Sequence, residues 1–427
     1  MKMQVGEFLE RHPEFAFDIV EHLEAAKYES ELSRRIEQTR SWADESVTAR
    51  SKHSRLDAAL SDASRVTPSG RMMSKDDLRA DISRYIDITL AQGLAWGKWT
   101  SGTTGPPILI PYAPEFYFDQ LYLPLVRAAI FAGVDVTGES VFSIGLTDNP
   151  SASEFVLSEP TGTVALSLQV KVSESVEGSL DRFWKLVDQL RPSVISLKPV
   201  LLETLLRGPK PRDLSFLRFI FCSGSVLGAK LRREAEATFG RPILNGYGLT
   251  EFGIMGYECT QGSIHYDPSV FQVETVTAAG DPVGPNEPGI VAVTTHTNPL
   301  LPLWKYRTGD IAVAEKEHCA CGRHGPRLSQ LAGRIQSCFL GPQGELLSPV
   351  HFMALFDALP IREYQVIQEH PGSLRILVEP LSASTCCDIV AITRGELIKI
   401  IPDSWSITIE VTRLPSEAGF QRHQGYV

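Results

Sequence analysis

The spacing of apolar residues divides the chain into a helical leader, a central region of alternating elements and a distinct C-terminal segment. From Val5 to Tyr85, apolar residues recur at three- and four-residue steps, as on one face of a helix. Within this leader, Pro68-Ser69-Gly70 predicts a turn, and Ser74-Lys75-Asp76-Asp77 predicts an N-cap that opens another helix. We therefore expect residues 1–95 to be a mainly helical leader.

The central region alternates amphipathic stretches with short, continuously apolar runs. Helical spacing covers residues 115–132, 180–190, 200–206 and 229–239. Apolar runs typical of strands buried on both faces cover residues 193–197 and 217–224. Strands that alternate with helices of this length predict doubly wound α/β layers.

Beyond Arg334 the pattern changes. Residues 363–368 and 374–380 predict two paired strands, residues 386–401 a helix and residues 406–414 a closing strand. The predicted fold class is therefore α/β, with two domains of different size. A large N-terminal domain of layered α/β subdomains covers residues 1–334, and a small α+β lid domain covers residues 335–427.

Composition and charge narrow the function classes. The chain has 427 residues, 43% of them hydrophobic and 22% charged, as expected of a globular protein with more than one domain. The net charge of −10 argues against nucleic acid as a partner. No apolar stretch approaches the roughly 20 residues that cross a bilayer, and the N-terminus does not resemble a signal peptide. We expect a cytoplasmic protein with no membrane partner, whose seven cysteines are thiols or metal ligands.

The segment TSGTTGPP, which begins at residue 100, is rich in glycine and hydroxyl side chains. Glycines let backbone N–H groups turn toward an anion and hydroxyls add donors, so the segment predicts a polyphosphate-binding loop. It lacks the Gly-Lys-Ser/Thr ending of a Walker loop, and a surface turn is the alternative interpretation. The candidate phosphate-binding residues are Thr100, Ser101, Gly102, Thr103, Thr104 and Gly105.

Three later strings each add a group suited to a nucleotide. LNGYGLTEFG carries Glu251 beside hydroxyl side chains at a strand end, a suitable partner for Mg²⁺ and phosphate. KYRTGDI places Asp310 after a tight Thr-Gly turn, in a position to accept bonds from ribose hydroxyls. LAGRIQ places Arg334 at the boundary between the two domains. Alone, each string also fits a hairpin, a surface acid or a linker; the four in this order favour a nucleotide site.

These strings, with PLWKYRTGD and CACGRHGPRLSQLAGR, resemble the adenylate-forming superfamily, and its phenylacetate–CoA ligase branch most closely. The resemblance extends over nearly the whole chain. It implies ATP and AMP as ligands with Mg²⁺, and a small carboxylic acid as substrate. CoA, a carrier-protein thiol or an amine would accept the acyl group. It also implies a homodimer and a lid domain that rotates between the two half-reactions.

The resemblance also implies roles for individual residues. The loop would hold the ATP phosphates, Glu251 would bind Mg²⁺, Asp310 would hold the ribose and Arg334 would lie by the nucleotide. Thr103, Glu251, Arg334 and Lys198 are the candidate catalytic residues. The remaining candidate nucleotide- and acyl-pocket residues are Ser223, Gly224, Ser225, Gly246, Tyr247 (expected to stack on adenine), Gly248 and Thr250.

Four residues predict a metal site. Cys259 and His265 follow the glutamate segment, and Cys319 and Cys321 form a C-x-C pair. Three thiolates and one imidazole are the full set for a closed, structural zinc site. The alternatives are buried thiols that pack as small hydrophobes and substitute ligands at His318 and His324. A closed set leaves no open position for a zinc-dependent hydrolase, which we therefore rank last.

The chain departs from the family pattern at the lid. The family ends in a Pro-x-x-x-Gly-Lys-x-x-Arg string whose lysine bridges the carboxylate and the α-phosphate. Here Phe420 stands where that lysine belongs, and a phenyl ring supplies neither positive charge nor a hydrogen bond. Lys399, expected on a helix, is no obvious substitute.

Two more departures affect the hinge and the triphosphate. Gln336-Ser337 replaces the acidic pair of the hinge, so lid rotation is expected to be altered or absent. Pro106 replaces a loop lysine, so fewer cations are expected at the triphosphate.

Lys198, just before Pro199, occupies a position where the family carries a small or hydroxyl residue. If it points inward, it would pair with a negatively charged or strongly polar group of the substrate, or replace the missing lysine. The alternative is a lysine that extends from a strand end into solvent.

The expected function is ATP-dependent activation of a small, aromatic carboxylic acid in specialised metabolism. The alternative is a non-adenylating homologue that binds nucleotide or acyl-adenylate, or performs only the transfer step.

Overall fold

A computed structural model describes most of the chain beyond residue 71. The described residues are 72–86, 96–100, 105–113, 116, 124–125, 127–131, 133, 141–147, 165–171, 176–208, 213–268, 270–284, 286–295, 297–315, 318–382, 386–414 and 423–424. Three predicted features therefore lie outside the described residues. These are the leader up to residue 71, the loop residues Ser101–Thr104 and the lid string that contains Phe420.

Eleven strands among the described residues form one large sheet. Five of them, in the half that alternates with helices, run parallel: β3 (Val141–Thr147), β4 (Ala165–Lys171), β5 (Val194–Leu197), β6 (Phe219–Ser223) and β7 (Ile243–Leu249). The antiparallel half contains β8 (Gly253–Glu258), β9 (Ile264–Tyr266), β10 (Gln272–Val276), β11 (Pro288–Thr295), β12 (Leu303–Glu315) and β13 (Arg327–Ser329). Their order is β10-β11-β12-β13-β9-β8-β7-β6-β5-β3-β4. Parallel strands leave their carboxyl ends along one edge of a sheet, where α/β proteins bind ligands.

Helices accompany this sheet where the apolar spacing predicts them. The segment 115–132 is helical at its described residues 116, 124–125 and 127–131. The helices with complete bounds are α1 (Lys75–Asp81), α2 (Val176–Leu190), α3 (Pro199–Arg207) and α4 (Ala229–Phe239). Ser74 caps α1 as predicted, because its hydroxyl accepts a hydrogen bond from the Asp77 amide at 3.3 Å. Apolar residues of α2, α3, α4, β5 and β6 form one buried cluster, which fixes the parallel half as a layered α/β unit.

A separate hairpin covers the strand that carries the glutamate motif. Strand β1 (Trp96–Trp99) pairs antiparallel with β2 (Leu109–Tyr112). Ile110 and Tyr112 of the hairpin are buried in a second cluster together with residues of β7, β8 and β12. The Tyr112 hydroxyl donates to the backbone oxygen of Thr250 at 2.7 Å. This hydrogen bond ties the end of β2, which lies opposite the first residue of β1, to the turn that carries Glu251.

The C-terminal segment has its own small sheet and its own buried cluster. It contains β14 (Phe339–Leu340), β15 (Leu346–Leu347), α5 (Pro349–Asp357), β16 (Ile361–His370), β17 (Ser373–Pro380), α6 (Cys386–Leu397), β18 (Ser406–Val411) and β19 (His423–Gln424). The four-stranded sheet has the order β18-β17-β16-β19. The α+β elements match the prediction for this segment.

Two predicted elements end earlier than expected. Helix α6 ends at Leu397 and is followed by turns, and β18 ends at Val411. Lys399 therefore lies beyond the helix, not in it, and it pairs with Glu396 at the surface at 2.5 Å. None of the described helices is long and apolar enough to span a membrane.

Polar contacts join the C-terminal segment to the parallel half. The Asp357 carboxylate, at the end of α5, accepts a hydrogen bond from the backbone amide of Lys230 at 3.1 Å. Lys230 is in the first turn of α4, whose N-cap residue Gly228 has no side chain to cap the helix. Arg207 and Glu363 form a second contact at 3.9 Å.

Candidate functional site

Asp310 lies on a bulge of β12, not after a tight turn as the sequence predicted. Residues 308–310 stand opposite the single residue Val291 of β11, and the strand continues on both sides. Gly309 has φ +81°, which favours glycine, and the Thr308 hydroxyl accepts from the Asp310 amide at 3.0 Å. The Thr-Gly pair therefore interrupts the regular alternation of side chains just before Asp310, while β12 continues beyond the bulge.

The bulge brings Asp310 together with two other predicted residues. Its carboxylate accepts a hydrogen bond from the Tyr247 hydroxyl at 2.8 Å and lies 3.5 Å from Nε of Arg334. The backbones of Asp310 and Arg334 also form an isolated β-bridge. Burial raises the pKa of Asp310, while the Arg334 charge and the Tyr247 hydroxyl oppose that rise. Tyr247 is buried and orients the acid; its stacking on adenine stays a prediction.

Glu251 is almost completely buried beside a tyrosine and a lysine. Its Oε1 atom accepts from the Tyr306 hydroxyl at 2.9 Å and lies 3.7 Å from Nζ of Lys75. Burial lowers the pKa of Lys75, Glu251 opposes this shift, and the charges of Arg334 and Arg79 add to it. The charges of Lys75, Arg79 and Arg334 around Glu251 suit an anionic phosphate, and binding of Mg²⁺ by this carboxylate stays a prediction.

Helix α1 supplies two of these cations, and the sequence analysis missed both. Arg79 follows Lys75 by one turn, and its Nε donates to the backbone oxygen of Pro106 at 3.2 Å. Its Nη2 atom is 3.0 Å from the position that a β-carbon of Gly105 would take. The expectation of few cations at the triphosphate was drawn from Pro106 without regard to these two side chains, and it stays a prediction. The sequence contained one indication of this basic helix face, because Lys75 and Arg79 are four residues apart in a helix with a predicted N-cap.

Thr100 closes the base of the candidate phosphate loop. Its amide donates to the backbone oxygen of Ile108 at 2.9 Å, and its hydroxyl accepts from the Ile108 amide at 3.0 Å. The hydroxyl is thus already engaged within the loop. Binding of phosphate by Ser101, Gly102, Thr103 and Thr104 stays a prediction, because these residues lie outside the described ones.

The predicted pocket residues follow the carboxyl ends of neighbouring strands. Ser223 at the end of β6 pairs with Gly246 of β7, and Lys198 follows the last residue of β5. Gly246 and Gly248 lie within β7, which continues to Leu249, so these glycines belong to the strand and not to the turn after it. A β-carbon at Gly248 would lie 2.0 Å from the backbone oxygen of Gly253, so β7 and β8 approach too closely for any other residue.

Lys198 extends along the turn after β6. Its Cγ and Cε atoms lie 3.7 and 3.9 Å from the position that a β-carbon of Gly224 would take. The side chain is partly buried, so it does not extend wholly into solvent. Gly224 and Ser225 are at the same place, where Gly224 is exposed. Lys198 therefore borders the predicted acyl pocket.

The four predicted metal ligands come together. Their ligand atoms lie within 4.8 Å of one another. Sγ of Cys259 is 3.9 Å from Sγ of Cys319, and Sγ of Cys321 is 3.5 Å from Nε2 of His265. A tetrahedral zinc with Zn–S bonds of about 2.3 Å separates its ligand atoms by roughly 3.8 Å. The residues present therefore fit a zinc ion.

The surroundings suit an anionic three-thiolate site. Burial, with the charges of Arg323 and Arg327, lowers the pKa of His265 to about 4, so its imidazole is neutral at pH 7. The Arg323 guanidinium lies 3.9 Å from the centre of the Phe131 ring. His318 and His324, the substitute ligands, pack against each other with ring centres 4.5 Å apart and are not part of the cluster.

Comparison with known proteins agrees with these motifs. Residues 155–300 match the family model described as AMP-binding enzyme. Phenylacetate-coenzyme A ligase of Thermus thermophilus is 26% identical over 361 residues, which cover 74% of this chain and 76% of that protein. Pyochelin synthase PchD of Pseudomonas aeruginosa is 29% identical over 215 residues, which cover 48% of this chain and 37% of that protein.

A solved structure shares the fold. A crystal structure of 2-hydroxyisobutyryl-CoA ligase in the postadenylation state aligns with a TM-score of 0.64 and 16% identity, over 94% of this chain and 90% of that one. The alignment confirms the predicted α/β fold class. The family match, the related sequence and the shared fold confirm the predicted resemblance to adenylate-forming enzymes and, with it, the predicted class of AMP-forming ligase.

Proposed function

We propose that this protein activates a small, aromatic carboxylic acid as its acyl-adenylate and transfers the acyl group to a thiol of CoA or a carrier protein, or to an amine. The observation that carries the proposal is the cluster of Tyr247, Asp310 and Arg334 beside Glu251, at the edge where the parallel strands end. The phenylacetate–CoA ligase and pyochelin synthase relatives support acid activation and a thiol acceptor. An amine acceptor and a role in specialised metabolism are proposed from the family resemblance of the sequence.

The residues divide the work of adenylation. Asp310 accepts hydrogen bonds from the ribose hydroxyls, and Tyr247 and Arg334 hold its carboxylate in place. Glu251 would hold Mg²⁺, which neutralises charge on the phosphates when bound. The loop from Thr100 to Gly105 adds donors to the phosphate tail. The carboxylate of the acid then attacks the α-phosphate and pyrophosphate leaves.

Helix α1 provides two positively charged side chains near the proposed phosphate site, whereas the lid string has Phe420 in place of the family's lysine. Phe420 supplies no cation, whereas Lys75 and Arg79 reach Glu251 and the end of the phosphate loop. Charge develops on the α-phosphate and on pyrophosphate during the reaction, so cations fixed beside it stabilise the transition state. Lys75 and Arg79 therefore offset the missing lysine in part.

The change Lys75→Met is expected to raise the KM for ATP about tenfold, since a charge-assisted contact contributes about 1.4 kcal/mol. Steady-state pyrophosphate release measured against ATP concentration checks this. Lys185→Met, at an exposed position of α2, is the matched control and should leave KM unchanged. Equal kinetics for Lys75→Met and the control would show that α1 does not contact the triphosphate.

The domain division and the metal are further parts of the proposal. The boundary falls after Arg334, because residues 339–405 contribute to a buried cluster of their own. The hinge would lie at this point, where Gln336 is in a short 3₁₀ turn with Oε1 3.3 Å from the β-carbon position of Gly309, and lid rotation is still expected to be altered or absent there. The zinc ion would be structural, holding the β8–β9 hairpin to the turn at 319–321. A homodimer is proposed from the family resemblance of the sequence alone.

The test is ATP–pyrophosphate exchange against a panel of aryl, heteroaryl and amino acids. The wild-type chain, Phe420→Lys and Glu251→Gln are assayed together, and Glu251→Gln is the inactive control. Exchange by the wild type with one acid establishes adenylation, and the product formed with CoA or an amine identifies the acceptor.

Two other outcomes oppose the proposal. Exchange by Phe420→Lys alone would point to an adenylation site that is switched off. No exchange by either protein would favour a homologue that only binds nucleotide or only transfers the acyl group.

A further inference from the structure

Two segments of the site share one spacing between a tyrosine and an acid. Tyr247 precedes Glu251 by four residues in YGLTE, and Tyr306 precedes Asp310 by four residues in YRTGD. In the structure, each tyrosine donates to the acid of the other segment. The Tyr247 hydroxyl donates to Asp310 at 2.8 Å, and the Tyr306 hydroxyl donates to Glu251 at 2.9 Å. These side chains are all buried, so a reciprocal pair of hydrogen bonds joins the two segments inside the protein.

A second bulge of β12 lies directly before Tyr306. Trp304 and Lys305 stand opposite the single residue Thr294 of β11. Lys305 has φ +43°, a conformation that residues with a β-carbon rarely adopt. Its amide donates to the Thr294 hydroxyl at 2.9 Å, which holds the bulge in place. Backbone strain of this kind persists only where the surrounding structure fixes it, and it is frequent at functional sites.

Tyr306 is a permanent hydrogen-bond donor to Glu251. Burial and the negative charge of Glu251 raise the pKa of Tyr306 well above its usual range, so the hydroxyl keeps its proton at neutral pH. The hydroxyl and Nζ of Lys75 both approach the Oε1 atom of Glu251, at 2.9 and 3.7 Å. Within the described part of the chain, the Oε2 atom accepts no hydrogen bond. The protein therefore holds one oxygen of this carboxylate and leaves the other for a ligand.

We propose that Tyr306 is a positioning residue for the phosphate side of the site, because it fixes Oε1 of Glu251 and leaves Oε2 for the cation that accompanies ATP. This inference rests on the proposed function, in which Glu251 holds Mg²⁺, and it assigns the residue that orients this acid. A phenyl ring at position 306 would keep the packing of the buried cluster and leave Oε1 with Lys75 alone. The carboxylate would then lose the hydrogen bond that fixes its orientation.

The experiment measures the binding of ATP to the whole chain by calorimetry, with MgCl₂ and with EDTA. Tyr306→Phe should raise the Kd for ATP about tenfold with MgCl₂, since a hydrogen bond to a charged group is lost. With EDTA the Kd should change by less than about twofold, because Glu251 then has no cation to hold.

The matched control is Tyr266→Phe. Tyr266 is buried in the same apolar cluster as Tyr306. Burial alone raises the pKa of Tyr266, so no charged group lies beside its hydroxyl. This variant should bind ATP like the wild type under both conditions.

A double-mutant comparison tests whether Tyr306 acts through Glu251. In the Glu251→Gln background, Tyr306→Phe should change the Kd for ATP with MgCl₂ by no more than about twofold. Unchanged binding by the single variant, or the same loss with EDTA as with MgCl₂, would overturn the inference. An equal loss in the Glu251→Gln background would also overturn it, because Tyr306 would then support the fold without orienting the acid.

These binding measurements do not depend on catalysis. If no acid supports pyrophosphate exchange, a magnesium-dependent loss of ATP binding in Tyr306→Phe still supports the role of Tyr306, although the proposed function fails. Exchange by the wild type together with magnesium-independent binding in Tyr306→Phe would support the function and overturn the role of Tyr306.

Discussion

Replacing Asp310 with asparagine should lower kcat/KM for ATP in pyrophosphate exchange by about 100-fold. The carboxylate is proposed to accept two hydrogen bonds from ribose, and an amide oxygen accepts them without the charge. Loss of about 1.4 kcal/mol for each bond gives this factor. The measurement is exchange at varied ATP with saturating acid.

The fold should survive this substitution. Burial raises the pKa of Asp310, which means that the surrounding protein disfavours the charged form, and asparagine is a neutral isostere. Arg334 is partly exposed, so water can solvate its charge once the partner is neutral. Asp403→Asn, at an exposed turn, is the control and should behave as wild type. Exchange by Asp310→Asn within twofold of the control would exclude Asp310 from the ribose site.

Removing the proposed zinc should have the largest effect on stability. Cys321→Ser should abolish stoichiometric zinc in the purified protein and lower the midpoint of thermal unfolding by about 5 °C or more. Loss of a structural metal costs more than about 4 kcal/mol, which corresponds to this shift for a large domain. Elemental analysis and thermal unfolding measure the two quantities.

The cysteine control is Cys338→Ser. Cys338 is buried, its thiol lies 3.6 Å from the backbone oxygen of Arg334, and it is not in the four-residue cluster. The serine variant should therefore retain zinc. Wild-type protein that contains no zinc after purification in its presence would disprove the metal site. Zinc retained by Cys321→Ser would show that other residues hold the ion.

The sequence predicted best those features that depend on local patterns. The layered α/β half of the sheet could be predicted from local patterns. A strand buried on both faces is a continuous apolar run, as in β5 and β6, and a helix buried on one face has apolar residues every three or four positions, as in α2, α3 and α4. The sequence also grouped the four candidate metal ligands, which the structure brings together, because three thiolates and one imidazole make up a complete tetrahedral ligand set. Both features need only residue type and separation along the chain.

Features set by long-range pairing were missed. The Thr-Gly pair before Asp310 has the composition of a turn, but β11 pairs with β12 on both sides and makes it a bulge. The sequence analysis recognised Lys75 only as part of a capped helix. Its partner Glu251 lies far along the chain, in the turn between β7 and β8. No local pattern specifies which helix face meets a distant carboxylate.

The hydrogen bond from the Lys230 amide to Asp357 caps α4 and stabilises the described position of the C-terminal segment against the parallel half of the sheet. Asp357 satisfies an amide that Gly228 leaves without a side-chain partner, and such a cap contributes about 1 kcal/mol. An arrangement that separates Asp357 from Lys230 loses this contribution, which is a factor of roughly five in population. The N-terminus of one helix thus biases the resting position of the whole lid toward the described arrangement.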